Sequence, residues 1–147
     1  MGYAIKFKKK TVAVSGGFDP LHVGHVRMIL AASENGDRDL IVIANSDAWL
    51  MRKKGYVFMP YNERQEVLYA IKGVIDVIEA EDDDDTVCIT LEKLKPDIFA
   101  NGGDRKDGNV PEYDVCERMG IEMEFGVGGK DKPQSSSWLV EKLRNSK

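Results

Sequence analysis

Short apolar runs alternate with segments of helical spacing along the chain. The run over residues 11–15 is β-branched and ends in two glycines, whereas residues 23–32 repeat their apolar side chains at helical intervals. This alternation predicts strands over residues 11–15, 39–44, 74–78, 97–100 and 121–125, and helices over residues 23–32, 62–71, 86–94, 111–119 and 135–144. Strands separated by such helices form βαβ units. We therefore predict an α/β fold with a five-stranded parallel sheet and helices on both faces.

Length and composition narrow the class further. A chain of 147 residues, 42% of them hydrophobic, can bury one core, so we expect a single Rossmann-like domain over residues 1–147. No apolar run reaches the roughly 18 residues of a membrane-spanning helix, so we expect no membrane span. The net charge of −4 disfavours a nucleic-acid-binding protein. Cys88 and Cys116 lack a CxxC spacing, which indicates reduced thiols and a cytoplasmic protein.

The loop after the first predicted strand, residues 16–25, has the composition of a phosphate site. Its glycines allow a ligand close to the backbone, and the free N–H groups at the start of the next helix favour an anion. His22 and His25, the two histidines of the sequence, are three residues apart and share one helix face, with Gly24 between them. Two imidazoles there can donate hydrogen bonds to phosphoryl oxygens.

Other polar segments follow the second and fourth strands and open the last helix. In parallel sheets ligands bind beyond the carboxyl ends of the strands. These segments therefore predict a positively charged pocket, although the net charge of the whole chain is negative. Each also has a plain structural interpretation: a solvated basic loop, a capped turn at Asp104, or ordinary helix capping by serine. The segments contain Arg52, Lys53 and Lys54; Asn101, Gly102, Gly103, Asp104 and Arg105; and Ser135, Ser136 and Ser137, while Arg64 lies in the predicted helix over residues 62–71.

Residues 16–25 resemble the GxFDxxHxGH motif of the cytidylyltransferase-like nucleotidyltransferases, which join a nucleoside triphosphate to a phosphorylated acceptor and release pyrophosphate. The resemblance implies catalytic roles for His22, His25, Lys54 and Arg64, with the arginine facing the triphosphate or the acceptor. It implies nucleotide binding by Gly16, Gly17, Phe18, Asp19, Gly24, Gly102, Gly103, Asp104, Ser135, Ser136 and Ser137. The candidates for the acceptor phosphate are Lys53, Arg105, Lys130 and Lys132.

The family resemblance also implies Mg²⁺ bound mainly through the triphosphate, with no protein metal site, and a homodimer. Among its members, the heptose 1-phosphate adenylyltransferase domain and glycerol-3-phosphate cytidylyltransferase are the most similar. The choice between ATP and CTP stays open. The alternatives are a nicotinate mononucleotide-type adenylyltransferase, or a catalytically silent nucleotide-binding module.

Two further features have structural interpretations. The acidic run over residues 81–85 is typical of a solvated segment before a helix, where carboxylates suit the helix dipole. Trp49 and Trp138 are interpreted as packing residues rather than as platforms for a base.

Overall fold

In the computed structural model, residues 8–103, 110–129 and 134–146 are described. The strands are β1 Thr11–Gly16, β2 Asp39–Ala44, β3 Val74–Glu79, β4 Ile98–Gly102 and β5 Glu122–Val127. The helices are α1 Val23–Ala32, α2 Asp47–Lys54, α3 Tyr61–Tyr69, α4 Cys88–Leu94, α5 Tyr113–Met119 and α6 Ser136–Asn145.

The strands form one parallel sheet in the order β3-β2-β1-β4-β5. β1 lies at the centre and pairs with β2 over its full length, from Thr11 opposite Asp39 to Gly16 opposite Ala44. This order is that of the Rossmann-like folds, so the predicted α/β architecture is confirmed. The chain runs from β1 to β2 on one side and reaches β4 on the other, and the crevice beyond β1 is where such sheets bind ligands.

Alternate residues of β1 belong to two separate hydrophobic clusters. Val12 and Val14 pack with Ile29 of α1 and Leu68 of α3. On the opposite face, Ala13 belongs to a cluster that includes residues of α4 and α5. Because neighbouring strand residues point to opposite sides, this division places helices on both faces, as predicted.

One helix of the structure was not predicted. The basic stretch over residues 52–55 is not a loop: its three charged residues form the last turn of α2, and Gly55 ends the helix at a φ of 81°. The Oγ of Ser46 begins this helix by accepting a hydrogen bond from Trp49 N at 3.1 Å. α2 buries only Leu50, so its sequence carries no apolar stripe to reveal it.

Within the described residues, no helix has the length and apolar character that crossing a bilayer requires.

Candidate active site

The two histidines form a reciprocal cap at the start of α1. His22 is the N-cap residue, and its Nδ1 accepts a hydrogen bond from Gly24 N at 3.0 Å. His25, three residues on, returns the interaction: its Nδ1 accepts from His22 N at 3.3 Å. This is the geometry of a capping box, built from imidazoles instead of the usual hydroxyl and carboxylate. The three-residue spacing therefore fixes both rings as well as placing them on one face.

Each imidazole is left with one outward donor. Because Nδ1 of each ring accepts a hydrogen bond, the neutral tautomer carries its proton on Nε2. The rings stack with their centroids 3.8 Å apart. Burial, together with the charges of His22 and Lys54, lowers the pKa of His25 to about 3, and burial also lowers the pKa of His22. At neutral pH the pair therefore offers two N–H donors without a charge of its own.

Phe18 and Gly24 hold these rings in place. The buried Phe18 ring packs against the His25 ring in a T-shaped arrangement, with the centroids 5.0 Å apart. A Cβ added at Gly24 would lie 2.8 Å from Cε1 and 2.9 Å from Nδ1 of His22. Gly24 is thus the residue that leaves room for the His22 ring.

Replacing Gly24 with alanine is expected to lower turnover at least about tenfold, because the added methyl group displaces the His22 ring and breaks its cap. Alanine has the better helix propensity by roughly 1 kcal/mol, so the melting temperature should change little. Pyrophosphate release and thermal unfolding measure the two effects. Val26→Ala, at an exposed position of the same helix, is the control. An active Gly24→Ala protein would contradict the role assigned to this glycine.

The lowered pKa of His25 predicts a stability that falls in mild acid. Between about pH 6.5 and pH 3 the unfolded chain binds a proton that the folded imidazole does not, so the free energy of unfolding decreases as the pH falls through this range. His25→Gln removes the titration but keeps a side chain that can complete a capping box. Urea unfolding at about pH 7 and pH 5 should show a smaller loss in the variant. Equal losses would contradict the prediction.

The lysines at the end of α2 point in different directions. A Cβ added at Gly17 would lie 4.0 Å from Lys54 Nζ, and the charge of Lys54 contributes to the lowered pKa of His25. Lys53 instead pairs with Asp85 at 3.0 Å. Of the two, Lys54 is therefore the lysine beside the histidine pair.

Arg64 lies in the interior and not in the crevice. It is fully buried, and its Nη1 donates to Gly17 O and Asn45 O at 2.7 Å each. Nε donates to Met59 O at 2.9 Å, and Nη2 to Asp47 Oδ1 at 2.7 Å. The expectation that Arg64 faces the triphosphate or the acceptor is therefore corrected: its guanidinium holds together the ends of β1 and β2, the start of α2 and the segment before α3.

Asp19 has a similar fixing role. Its buried carboxylate accepts hydrogen bonds from the backbone N–H groups of Phe58 and Met59. Together with Arg64, which binds Met59 O, it ties the segment before α3 to the loop after β1. Asp19 thus shapes the loop through the protein's own backbone, and both of its oxygens are already engaged.

The three predicted serines differ in their surroundings. Ser135 is the N-cap residue of α6 but makes no side-chain cap hydrogen bond. Ser136 Oγ donates to Pro20 O at 2.8 Å, which joins the start of α6 to the first loop. Ser137 lines a cavity of 470 Å³ between α6 and the end of α2, together with Lys54, Tyr56 and other residues. The start of α6 therefore lies against the histidine loop.

A second cavity, of 310 Å³, opens at the carboxyl ends of β1, β2 and β4. Gly16, Gly17 and Gly102, which are predicted to bind the nucleotide, contribute to its wall. A Cβ at Gly102 would lie 3.3 Å from both Met28 Cγ and Val127 O, so a side chain at this strand end would push these neighbours back by a few tenths of an ångström. Gly103 follows it in the left-handed region, with a φ of 67°.

Sequence reasoning missed several residues of this cavity. It is also lined by Asn45, Trp49, Asp85 and Glu112, none of which was predicted as a site residue, and by Asn101, which lies in one of the predicted polar segments. The sequence pattern indicated packing for Trp49 and a solvated run for Asp85. The cavity is thus polar and has two carboxylates in its lining. The positive charge that the sequence predicts for the pocket lies beside the cavity, at Lys54. The position of Asn45 directly after a buried strand was the available signal.

The acidic run is more than a solvated segment. Asp82 is buried, and its carboxylate accepts hydrogen bonds from Ile89 N, Thr90 N and Thr90 Oγ1 at the start of α4. Asp85 lines the cavity described above. The predicted site residues Asp104, Arg105, Lys130 and Lys132 lie outside the described residues.

A family model described as cytidylyltransferase-like matches residues 13–121. The chain belongs to this family. It is 33% identical to a bifunctional protein HldE of Campylobacter concisus over 97% of the chain and 29% of that protein. It is 38% identical to an FAD synthase of Pyrococcus abyssi over 64% of the chain and 63% of that protein. The chain thus spans less than a third of the HldE relative.

A solved structure shares the fold. It is the crystal structure of a lipopolysaccharide core biosynthesis protein from Thermoplasma volcanium, with a TM-score of 0.61 and 25% identity. The match covers 80% of this chain and 94% of that one. The similarity therefore extends over nearly the whole of a solved protein as well as most of this chain.

Proposed function

We propose that this protein is a nucleotidyltransferase that transfers a nucleoside monophosphate from ATP or CTP to a phosphorylated sugar or polyol and releases pyrophosphate. The observation that carries the proposal is the pair of capped, neutral histidines beside Lys54 at the start of α1. Such a group of donors suits the oxygens of a triphosphate. Membership of the cytidylyltransferase-like family supports the same reaction.

The reaction needs positioning more than proton transfer. A phosphate monoester has a second pKa of about 6, so the acceptor is largely a dianion at neutral pH and needs no general base. One of its oxygens attacks the α-phosphorus, the new P–O bond forms, and the bond to the bridging oxygen of the β-phosphate breaks. The Nε2–H groups of His22 and His25 donate to the oxygens on which negative charge increases. Lys54 neutralises the phosphates brought together there.

Magnesium fits this scheme as a partner of the triphosphate. The described residues contain no group of three His, Cys, Asp or Glu side chains that could hold a metal ion. Asp19, the carboxylate of the motif, is occupied by two backbone N–H groups. Mg²⁺ commonly binds through substrate phosphates and water, and there it would neutralise charge on the triphosphate. We therefore propose that it arrives with the nucleotide.

The relatives favour a sugar phosphate as the acceptor. The adenylyltransferase domain of HldE proteins transfers AMP to heptose 1-phosphate, and matches to HldE proteins cover nearly the whole chain. The name of the solved relative also points to carbohydrate chemistry. A flavin acceptor is the second candidate, since an FAD synthase matches 64% of the chain.

A matrix of substrates tests the proposal. ATP and CTP are each combined with heptose, glycerol, ribitol and choline phosphates, with flavin mononucleotide and with nicotinate mononucleotide, and pyrophosphate release is measured. We expect release with one nucleotide and a sugar or polyol phosphate. Nucleotide binding without release in any combination would indicate a silent nucleotide-binding module and would overturn the proposal.

Two further parts of the proposal concern assembly and location. We propose a homodimer, supported by large apolar side chains such as Met51, Phe58, Trp138 and Leu143, each at least half exposed. Light scattering in solution measures its mass. We also propose that the protein acts in the cytoplasm, since Cys88 and Cys116 are both free thiols.

A further inference from the structure

Lys54 connects the two cavities of the site. Its side chain lines the cavity of 470 Å³, and its Nζ lies 4.0 Å from a Cβ added at Gly17, which lines the cavity of 310 Å³. Ser137, a predicted nucleotide-binding residue, lines the larger cavity together with Lys54, so the phosphates of the two substrates would meet at this end of it. The predicted nucleotide-binding glycines line the smaller cavity. The rest of the larger cavity is therefore the space left for the second substrate.

Arg144 brings a second cation to the larger cavity. It follows Ser137 by seven residues on α6, which at a rise of 1.5 Å per residue places the two positions about 10 Å apart along the helix. The guanidinium carbon lies 5.7 Å from the centre of the half-buried Tyr56 ring, in a cation–π contact. A guanidinium stacked on a ring keeps the N–H groups at its edge, where they can bind an anion.

Neither cation of this cavity is neutralised by the protein. Within the described residues, Lys54 and Arg144 form no ion pair with a carboxylate, whereas Lys53, next to Lys54 in sequence, pairs with Asp85 at 3.0 Å. Glu141 is the one carboxylate of the described lining, so two cations there face a single acid. The two cations lie at separate places in the cavity, which indicates a ligand with two separate anionic groups.

We propose that the larger cavity receives the acceptor, that the acceptor carries a second anionic group away from its reacting phosphate, and that Arg144, stacked on Tyr56, is the specificity-determining residue that binds this group. The inference rests on the proposed function and adds the charge that the acceptor must carry. A planar guanidinium binds two oxygens of a carboxylate or of a phosphate at once, so either group fits. Choline phosphate, which carries a cation in place of the second anion, is expected to be a poor acceptor.

Calorimetric titration without nucleotide tests the binding. The probes are two pairs that differ by one anionic group: glucose 1-phosphate with glucose 1,6-bisphosphate, and glycerol 3-phosphate with 3-phosphoglycerate. We expect a doubly anionic probe to bind at least about tenfold more tightly than its partner, and Arg144→Gln to abolish the difference. Lys142→Gln, which removes the same charge from an exposed position of α6 outside the cavity lining, is the matched control and should keep the difference.

Three results of this titration would overturn the inference. They are equal affinities or no binding within both pairs, a difference that Arg144→Gln leaves intact, and a difference that Lys142→Gln removes to the same extent, which would indicate attraction by the general charge of the surface.

Substitutions of Tyr56 test whether its ring holds the guanidinium. Tyr56→Phe keeps the ring and should keep the tighter binding of the doubly anionic probe. Tyr56→Leu removes the cation–π contact and should weaken that binding about twofold to fivefold, as such contacts at exposed sites allow. Equal binding by the leucine and phenylalanine variants would refute the role of the ring.

Steady-state pyrophosphate release separates failure of the inference from failure of the proposed function. With a doubly anionic acceptor, Arg144→Gln should raise KM for the acceptor at least about tenfold and leave KM for the nucleotide within about twofold. A rise in KM for the nucleotide alone would assign Arg144 to the triphosphate and overturn the inference. Binding that depends on Arg144 without release from any acceptor would refute the transferase and keep the anion site. Release that Arg144→Gln leaves unchanged would refute the anion site alone.

Discussion

Replacing His25 with alanine is expected to reduce turnover at least about a hundredfold, because it removes an N–H donor from the position where charge increases in the transition state. The lowered pKa of about 3 makes this loss independent of pH across the neutral range, since the ring is uncharged there. Pyrophosphate release at saturating substrates measures it.

The same substitution also removes one half of the cap of α1, so folding has to be measured beside activity. His25→Glu keeps an acceptor for His22 N and, as a carboxylate, carries no N–H donor, which makes it the matched control for structure. We expect both variants to be folded by circular dichroism and both to be slow. Near-normal turnover in a folded His25→Ala protein would refute the catalytic role of His25.

Replacing Arg64 with methionine is expected to lower the free energy of unfolding by about 3–5 kcal/mol. Methionine keeps much of the side-chain volume but leaves Gly17 O, Asn45 O and Met59 O without their donors. Chemical denaturation measures the change. Activity should fall as well, because the cavity wall at Gly17 and Asn45 loses its shared anchor.

Asp47→Asn provides the control for Arg64. Asp47 is 46% exposed and its amide replacement still accepts a hydrogen bond, so the cost should stay below about 1 kcal/mol. Comparing the losses in the free energy of unfolding of the two variants separates the contribution of the buried hydrogen bonds to carbonyl groups from that of the ion pair. If the free energy of unfolding of Arg64→Met equalled that of the unsubstituted protein, the guanidinium would not be the anchor of these loops.

The sheet was predictable because each of its strands is marked by the sequence itself. The strand over residues 39–44 is continuously apolar because both of its faces are covered, and the structure buries residues 40–44. α2 was not predictable in this way. It buries only Leu50, so its formation depends on the cap at Ser46, on Gly55 and on its packing rather than on an apolar period.

The site was predictable to the extent that it is local in sequence. The spacing of His22 and His25 is a property of one helix turn, and the structure shows why the spacing is three. Arg64 could not be placed because a guanidinium suits phosphate oxygens and backbone carbonyls equally well. Only the fold shows that Gly17, Asn45 and Met59, which are distant in sequence, surround it.

The cavity residues were missed for a related reason. Asparagine and aspartate are common in turns. Apart from the position of Asn45 directly after a buried strand, nothing in the immediate sequence of Asn45 and Asp85 distinguishes a solvated side chain from one that lines a cavity. Their role depends on the parallel pairing of β2 with β1 and on the segment before α4. These contacts are long-range, so local patterns do not report them.

Transfer of a labelled phosphate tests the central claim most directly. ATP or CTP labelled at the α-phosphate is incubated with the sugar or polyol phosphate, and the products are separated. If the protein is a nucleotidyltransferase, the α-label moves into the acceptor conjugate, and a γ-label appears in pyrophosphate. If the γ-label moved to the acceptor while the α-label stayed in a free nucleotide, the protein would be a phosphoryl transferase, and the proposed nucleotidyl transfer would be contradicted.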